Sequence, residues 1–330
     1  MRYLLPLVSI VLLTSVASCR NPAGPGGEPP PPVESPSLAC PPTVVANAPE
    51  APATVSYPAP ALTGGTPPVA TSCNIASGSA FPAGATDITC KATDAISRSA
   101  QCTFQVVVNL TARLRGTRFL AFGDSITEGQ VSPPVPGSFV RAVDPVNSYP
   151  SVLLGLLRER YPSQASEIVV VNEGFGGSEV VKDKQRFADA VRSMRPEAVL
   201  FLQGTNDLNV ATAGEIAAAI AENASRALRE GVKMVFVSPL LPQVTYRGKG
   251  GHPEAILEAN AEIRRVVAGL GPNVVLVDSF AAFDPMKEKL IGEDGLHPTV
   301  EGYRLLAETF RLAIKANFEA PPATTAARRR

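Results

Sequence analysis

The chain of 330 residues carries 30 lysines and arginines and 30 aspartates and glutamates, so its formal net charge is zero. It lacks the basic excess that binds nucleic acid phosphates, so we expect no nucleic acid partner. The length allows more than one domain. Proline is dense between Pro22 and Pro68 and sparser afterwards, which predicts that the first quarter of the chain differs in structure from the rest.

The N-terminus is typical of an export signal. Arg2 precedes an apolar run over residues 3–16, which is shorter than the roughly 20 residues of a membrane-spanning helix. The run ends in VASC, which resembles a bacterial lipobox. The resemblance implies a signal peptide over residues 1–18 and a diacylglyceryl group on Cys19, so we expect a lipid-anchored protein of the bacterial cell envelope, at the outer membrane or the cell surface. The alternative is an ordinary cleaved signal with an incidental cysteine.

Two further segments are expected to lack a folded core. Residues 19–38 are rich in proline and glycine and show no periodic apolar pattern, which predicts an extended tether. Residues 319–330 are expected to form a disordered tail.

The five cysteines fall into two groups. Cys19 belongs to the signal, and its removal leaves an even number for an exported protein. The other four lie in one short segment: Cys40, Cys73, Cys90 and Cys102. They predict two disulfides in a small exported module, and the sequence leaves all three pairings open.

Residues 39–110 consist of short strand-like runs between turn residues, which predicts a small all-β sandwich. The runs are TVVAN, ATVSYPAP, ATSCNIA, TDITCKATD and CTFQVVVNL. The succession of Cys73, SGSAFPAGATDITCKATD and CTFQVVV resembles the HYR domain, an immunoglobulin-like module of extracellular proteins. The resemblance implies a module without catalytic residues, which serves either as a spacer or as a contact to a surface polymer.

Residues 115–318 alternate apolar strand-like runs with longer amphipathic segments. The candidate strands are TRFLAF, EIVVVN, EAVLFLQ, KMVFVS and NVVLVD. Thr212 and Glu215 form a capping box at the start of one helix, Pro253 suits the first position of another, and the last helix follows Pro298. This alternation predicts a three-layer α/β/α domain with a mainly parallel five-stranded sheet.

Polar or glycine-rich clusters follow four of these strands: GDSITEG, NEGFGGSE, GTND and, beyond the fifth strand, EDGLHPT. Because sites in open parallel sheets lie at the carboxyl ends of strands, we expect these clusters to converge on one edge. In this order they resemble the SGNH hydrolase family, also called GDSL esterases and lipases, over residues 116–316. The resemblance implies hydrolysis of carboxylic esters through an acyl-enzyme.

By this resemblance, Ser125 is the nucleophile, His297 the general base and later acid, and Asp294 its orienting partner. Taken alone, Ser125 is better explained as a helix N-cap, and only the other clusters favour catalysis. The second of the chain's two histidines, His252, lies in a glycine-rich loop before a helix and is expected to be a cap or a rim residue.

The resemblance also implies three donors to an oxyanion: the N–H of Ser125, the N–H of Gly177 and the side chain of Asn206. The neighbouring Gly174 and Gly176 leave the register of the glycine donor open. Asp124 and Asp207 are expected to brace the loops through hydrogen bonds, without reacting.

Other chemistries fit the sequence poorly. The glycine cluster lacks the spacing of a dinucleotide site, and the two isolated histidines, with cysteines confined to the β module, provide no metal-ligand set. We expect no cofactor and no metal.

Substrate preference is less constrained by the sequence. Residues 130–148 and 239–252 are long connections that are expected to shape the pocket. Within the second, Tyr246, Arg247 and Lys249 are expected to form a solvated loop, with contact to a polar substrate as the alternative.

No long apolar loop is evident that could hold an acyl chain, so the sequence favours short acyl esters of carbohydrate or a similar small molecule. A lysophospholipase or lipase is the alternative. A surface adhesion lipoprotein with a hydrolase scaffold is the alternative of another class.

Overall fold

The structure is a computed structural model that describes residues 33–132, 142–245, 247 and 251–321. Several predictions concern residues outside these ranges: the signal peptide, Cys19, most of the tether, Tyr246, Lys249 and residues 322–330 of the tail. Within the described ranges, no helix is both long enough and apolar enough to cross a membrane.

Eight strands make up the described N-terminal part of the chain. They are β1 (Ser37–Ala39), β2 (Val44–Ala48), β3 (Ala53–Val55), β4 (Ala61–Thr63), β5 (Ala70–Cys73), β6 (Ser79–Phe81), β7 (Gly84–Thr93) and β8 (Ser99–Leu110). A four-stranded sheet has the order β2-β8-β7-β5, and β1 pairs with β4 and β3 with β6. The predicted all-β architecture is confirmed, although β1 begins inside the segment predicted as tether.

Two disulfides cross-link this β unit. Cys40 is bonded to Cys102 and Cys73 to Cys90, which decides among the pairings that the sequence left open. Cys90 is directly opposite Cys73 on β5 and opposite Cys102 on β8. Both bonds therefore lie against the core, whose fully buried side chains are Phe81, Ile88, Cys90, Ala92 and Val106.

The described residues after β8 form an α/β/α unit around a parallel sheet of order β12-β9-β13-β14-β15. Its strands are β9 (Arg118–Gly123), β10 (Gln130–Val131), β11 (Ala142–Val143), β12 (Val169–Gly174), β13 (Ala198–Leu202), β14 (Met234–Val237) and β15 (Val274–Leu276). Its helices are α1 (Ser125–Glu128), α2 (Tyr149–Arg160), α3 (Lys184–Met194), α4 (Ala213–Arg229), α5 (Pro253–Ala268), α6 (Ser279–Phe283), α7 (Lys287–Leu290) and α8 (Val300–Phe318).

The central strands are apolar on both faces because helices cover both faces. On β9, Phe119 and Ala121 pack into one core with residues of α2 and α8. Leu120 and Phe122 point to the opposite face and pack with residues of α3, α4 and α5. The predicted three-layer fold with its five-stranded parallel sheet is confirmed.

Local signals set the helix boundaries. The capping box before α4 is present, because the backbone N–H of Thr212 donates to Glu215 at 2.8 Å and its hydroxyl accepts from the N–H of Glu215. α5 begins at Pro253, as predicted, and the preceding His252 makes no side-chain capping bond. α8 is capped by Thr299, whose hydroxyl accepts from the N–H of Gly302 at 3.1 Å.

The predicted connection 130–148 contains two short strands, β10 and β11. β10 and β11 pair as an antiparallel hairpin, Gln130 opposite Val143, and residues 133–141 between them lie outside the described ranges.

Candidate active site

Three adjacent strands end at one level of the sheet. Gly123, the last residue of β9, is paired with Gly174 on β12 and with Leu202 on β13. The segments that follow these strands carry the first three polar clusters predicted from the sequence, so they begin side by side at the carboxyl edge. A parallel sheet places its site there.

Ser125 is the first residue of α1, and its neighbour Asp124 is the N-cap. The Asp124 carboxylate accepts a hydrogen bond from the N–H of Ile126 at 3.0 Å. The interpretation of Ser125 as a helix cap is therefore wrong, because the adjacent residue satisfies the helix start. The hydroxyl of Ser125 remains available for another partner, and its N–H is among the first four of the helix, which have no acceptor within the helix.

The partner of Ser125 is His297, which the chain places 172 residues later. Its Nε2 lies 2.8 Å from the Oγ of Ser125, and its Nδ1 lies 2.5 Å from the Oδ2 of Asp294. All three side chains are buried: Ser125 is 7% exposed, His297 3% and Asp294 9%. The three residues form a continuous hydrogen-bonded chain from carboxylate to hydroxyl.

A tight turn holds Asp294 and His297 in place. The Oδ1 of Asp294 accepts from the N–H groups of Leu296 at 3.1 Å and His297 at 2.9 Å, which leaves Oδ2 for the imidazole. The turn is closed by an antiparallel bridge between Ile291 and Pro298, directly before α8. Both residues thus depend on the local fold of a short segment.

The surroundings of Asp294 keep its carboxylate ionised. Burial by itself raises the pKa of a carboxyl, but the hydrogen bonds from His297 and Leu296, together with the charge of His297, outweigh burial and hold the pKa of Asp294 well below its usual range. An ionised acceptor at Nδ1 stabilises the imidazole tautomer whose Nε2 can accept a proton from Ser125.

The loop after β12 contains three glycines with different roles. A Cβ on Gly174 would lie 2.0 Å from the backbone nitrogen of Glu128, so Gly174 allows α1 to pack closely. The N–H of Gly176 donates to the Glu128 carboxylate at 3.1 Å. Gly177 has a φ of +80°, which favours glycine, and its N–H has no acceptor among the described residues.

Asn206 lies in the 3₁₀ helix that follows β13 (Thr205–Asn209). Its Nδ2 donates to the carbonyl of Ser178 at 2.9 Å, and the amide has a second hydrogen. The neighbouring Asp207 accepts from the N–H groups of Val180 at 2.8 Å and Val181 at 3.1 Å. Asp207 therefore ties the segment after β13 to the loop after β12, in the bracing geometry that the sequence predicted.

Asp124, directly before Ser125, is a buried carboxyl. Its Oδ2 is buried without a hydrogen-bond partner among the described residues. Burial raises the pKa of Asp124 to about 6, against the lowering effects of the Ile126 N–H and the charge of His297. Its carboxylate braces the start of α1 at an electrostatic cost.

Ser132 and Arg247 support the turn of Asp294, and the sequence predicted neither contact. The Oγ of Ser132 accepts from the N–H of Asp294 at 3.0 Å. Arg247 was expected in a solvated loop, and this expectation is wrong: its side chain is 18% exposed, and it donates to the carbonyls of Ile291 at 2.8 Å and Glu288 at 3.0 Å. A serine in a hairpin and an arginine in a glycine-rich connection carry no sequence signal for such contacts.

In the part of the chain that the structure describes, no group of three or more histidine, cysteine, aspartate and glutamate side chains could hold a metal ion. The arrangement of Ser125, His297 and Asp294 suits transfer of an acyl group to a hydroxyl, because a buried imidazole can remove the proton of the serine.

Comparison with known proteins defines the class. The chain belongs to the GDSL-like lipase/acylhydrolase family, whose family model matches residues 121–305. It is a carboxylic ester hydrolase. A second family model, the HYR domain, matches residues 32–108.

Individual relatives match 59 to 62% of this chain. An acetylxylan esterase of Geobacillus stearothermophilus is 28% identical over 208 residues, which are 59% of this chain and 92% of that protein. An α/β hydrolase enzyme from the metagenome of Lake Arreo, Spain, shares the fold with a TM-score of 0.50 and 22% identity, over 61% of this chain and 96% of its own. A lipase/acylhydrolase from Enterococcus faecalis matches with a TM-score of 0.48 and 24% identity, over 62% and 98%.

Proposed function

We propose that the protein hydrolyses its esters through a covalent acyl-enzyme on Ser125. The observation that carries the proposal is the hydrogen-bonded chain from Asp294 through His297 to Ser125, with distances of 2.5 and 2.8 Å. An alcohol is a weak nucleophile until a base removes its proton, and this geometry needs no rearrangement to do so.

In the first half-reaction, the Oγ of Ser125 attacks the ester carbonyl carbon while its proton passes to the Nε2 of His297. The carbonyl electron pair moves onto oxygen and forms a tetrahedral oxyanion. As this intermediate collapses, the ester C–O bond breaks and His297 returns the proton to the departing alcohol. Water repeats these steps on the acyl-enzyme and releases the acid, and Asp294 stabilises the imidazolium in each half.

The oxyanion is stabilised by the N–H of Ser125, the N–H of Gly177 and the side chain of Asn206. Support for Gly177 over its neighbours comes from their own roles: the N–H of Gly176 is already bound to Glu128, and Gly174 lies within β12. Donors that are aimed before the reaction starts lower the barrier without reorganisation.

For the substrate, we propose short acyl esters, above all acetyl groups on carbohydrate. Two observations favour this class: the acetylxylan esterase from Geobacillus stearothermophilus is 28% identical over 208 residues, and no long apolar loop is evident in the catalytic segment. A lysophospholipase would need an apolar surface for the remainder of its acyl chain.

The experiment is a series of p-nitrophenyl esters of increasing acyl length, assayed with the wild type, with Ser125→Ala and with Ser163→Ala as an exposed serine control. We expect kcat/KM to be highest for the acetyl ester, Ser163→Ala to match the wild type, and Ser125→Ala to lose at least about a thousandfold in kcat. Turnover by Ser125→Ala equal to the wild type contradicts the mechanism, and a maximum at long acyl chains contradicts the substrate class.

We also propose that the chain is exported and anchored to the cell envelope by lipid on Cys19, with the HYR domain as a spacer. The two disulfides support export, because such bonds persist in oxidising compartments. Cys19→Ala is expected to move the protein from the membrane fraction to the soluble fraction of expressing cells. Unchanged partitioning contradicts the anchor.

A further inference from the structure

Arg186 lies on α3, the helix that follows the glycine-containing loop after β12. Its side chain contacts β9 and β12, the two strands that lead into the candidate active site. Its Nη2 donates to the carbonyl of Gly123 at 3.0 Å, and its Nη1 donates to the carbonyl of Glu173 at 2.8 Å. These carbonyls lie at the ends of β9 and β12, the two strands that precede Ser125 and Gly177. One guanidinium group therefore joins β9, which precedes the nucleophile, to β12, which precedes the loop that carries Gly177. We call this loop the oxyanion loop.

The oxyanion loop itself is tied to the same group. The Nη2 of Arg186 lies 3.3 Å from the Oγ of Ser178, the residue after Gly177. The carbonyl of Ser178 accepts the side chain of Asn206 at 2.9 Å. A displacement of Ser178 would therefore move two of the three proposed oxyanion donors together.

The carbonyl oxygen of Gly123 accepts hydrogen bonds from three donors. Besides Arg186, it accepts the N–H of Phe175 at 3.1 Å and the hydroxyl of Ser178 at 3.4 Å. Gly123 permits no larger residue, because a Cβ there would lie 2.0 Å from the carbonyl oxygen of Leu202. Its position two residues before Ser125 links the hydrogen bonds directly to the nucleophile.

Neighbouring side chains hold the orientation of Arg186. The Oδ2 of Asp183 accepts from its Nε at 3.0 Å and from its Nη2 at 2.8 Å. Gln203, which is fully buried at the end of β13, donates to both Asp183 at 2.6 Å and Ser178 at 2.9 Å. The guanidinium carbon also lies 3.9 Å from the ring centre of Phe122, so a cation–π contact covers the face of the group.

We propose that Arg186 is a positioning residue for the oxyanion site, which sets the distance between Ser125 and the donors Gly177 and Asn206. The inference rests on the proposed function of those three residues. Arg186 makes its contacts with backbone carbonyls and with side chains behind the site, so its effect is carried by the groups that it orients. The fork of the guanidinium is required, because a lysine ammonium cannot reach the Gly123 and Glu173 carbonyls and Asp183 in one geometry.

A group that orients oxyanion donors affects the transition state more than the bound ester. Arg186→Gln is therefore expected to lower kcat for p-nitrophenyl acetate by about 10- to 100-fold with little change in KM, since loss of one oxyanion donor costs about 10²- to 10³-fold. Arg186→Lys is expected to recover only part of this loss.

Arg192→Gln is the matched control, because Arg192 lies on the same helix and its ion pair with Asp189 is exposed to solvent. All variants are titrated with a fluorophosphonate so that kcat refers to folded, reactive protein. A kcat of Arg186→Gln equal to that of Arg192→Gln overturns the inference. If Arg186→Gln does not fold, the same comparison is made with Arg186→Lys, and a kcat equal to the control has the same meaning.

A double-mutant cycle with Asn206→Ala separates positioning from a general structural role. If Arg186 acts through the oxyanion donors, the double variant loses clearly less activity than the product of the two single losses. Independent, multiplying losses overturn the inference. Both outcomes of the cycle can be told apart from a failure of the proposed function. In that case, Ser125→Ala would hydrolyse the ester as fast as the wild type does.

Discussion

Among the single residues, Asp294 uses its two carboxylate oxygens for different partners. One carboxylate oxygen holds the turn through two backbone N–H groups, and the other binds the imidazole of His297. The same residue thus builds the turn and orients the base. This double use explains why an aspartate three residues before the histidine suffices, without a contribution from another strand.

Asn206 provides the clearest test of a single donor. Asn206→Ala is expected to lower kcat for p-nitrophenyl acetate by about 10²- to 10³-fold, because the oxyanion loses one preorganised donor. Asn209→Ala is the control, since Asn209 is an exposed residue of the same 3₁₀ helix. Steady-state kinetics give both values, and equal kcat for the two variants contradicts the role of Asn206.

The raised pKa of Asp124 predicts that the free energy of unfolding depends on pH between about 4 and 6. Its pKa in the fold is about 6, above the ordinary 3.8, so between these values the folded chain retains a proton that the unfolded chain has lost. The free energy of unfolding therefore falls by about 3 kcal/mol from this group as pH rises from about 4 to above 6. Groups with lowered pKa, such as Asp294, act in the opposite direction and at lower pH.

Urea unfolding of the wild type and of Asp124→Asn across this pH range isolates the effect. The difference in unfolding free energy between the two proteins is expected to change in favour of Asp124→Asn as pH rises. Parallel stability curves would contradict a buried, ionising Asp124.

Among the helices and strands, the packing of α1 against β12 determines the position of the nucleophile. The helix has only four residues, Ser125–Glu128, so its position is set by packing against its neighbours. Gly174 allows that packing, and the Glu128 carboxylate holds the loop at Gly176. The nucleophile and the oxyanion loop are therefore coupled both by Glu128 and by Arg186.

Two glycine substitutions compare a glycine whose neighbours leave no room for a Cβ with a glycine that has open space beside it. Gly155→Ala, at an exposed position inside α2 with open space for a Cβ, is expected to raise the free energy of unfolding by about 0.5 to 1 kcal/mol. Gly174→Ala is expected to lower it by about 1 to 3 kcal/mol, because the added Cβ meets backbone atoms of Glu128.

Chemical denaturation measures both changes, and the esterase assay follows them. Only Gly174→Ala should also reduce kcat, since it displaces α1 and with it Ser125. An unaltered kcat in Gly174→Ala would contradict the close coupling.

The sequence predicted the elements better than the contacts between them. The five parallel strands were evident because each contains a run of apolar residues, and the polar clusters that come after them in the chain indicated Ser125, Asn206, Asp294 and His297. The cap of α1 was missed because aspartate and serine are both good caps and stand side by side.

The supporting contacts were not predictable, since they join residues far apart in sequence. Arg186 is 63 residues from Gly123, and Ser132 is 162 residues from Asp294. The contact of Gln203 could have been anticipated. Gln203 is a polar residue directly after a buried strand, and site residues of parallel sheets lie at the carboxyl ends of strands. The disulfide pairing depends on strand register, which the spacing of cysteines does not contain.

In the molecule as a whole, all the candidate active-site residues lie in the C-terminal unit, and both disulfides lie in the β unit. The Cys40–Cys102 bond closes a loop with a sequence separation of 62. In the chain-entropy model such a loop contributes about 4 kcal/mol, which is large for a small β core.

The variant Cys40→Ser/Cys102→Ser is therefore expected to lower the thermal transition of the β unit while kcat and KM for p-nitrophenyl acetate stay unchanged. Calorimetry with a parallel esterase assay measures both properties. Loss of turnover together with the β transition would contradict the confinement of the chemistry to the C-terminal unit.

A covalent acyl-enzyme on Ser125 is detected by rapid-quench mass spectrometry of the protein mixed with p-nitrophenyl acetate. We expect one added acetyl group per chain during turnover, located by peptide mapping on Ser125 and missing from Ser125→Ala. Turnover of the wild type with no acetylated Ser125, or with the acetyl group on another residue, would rule out Ser125 as the nucleophile.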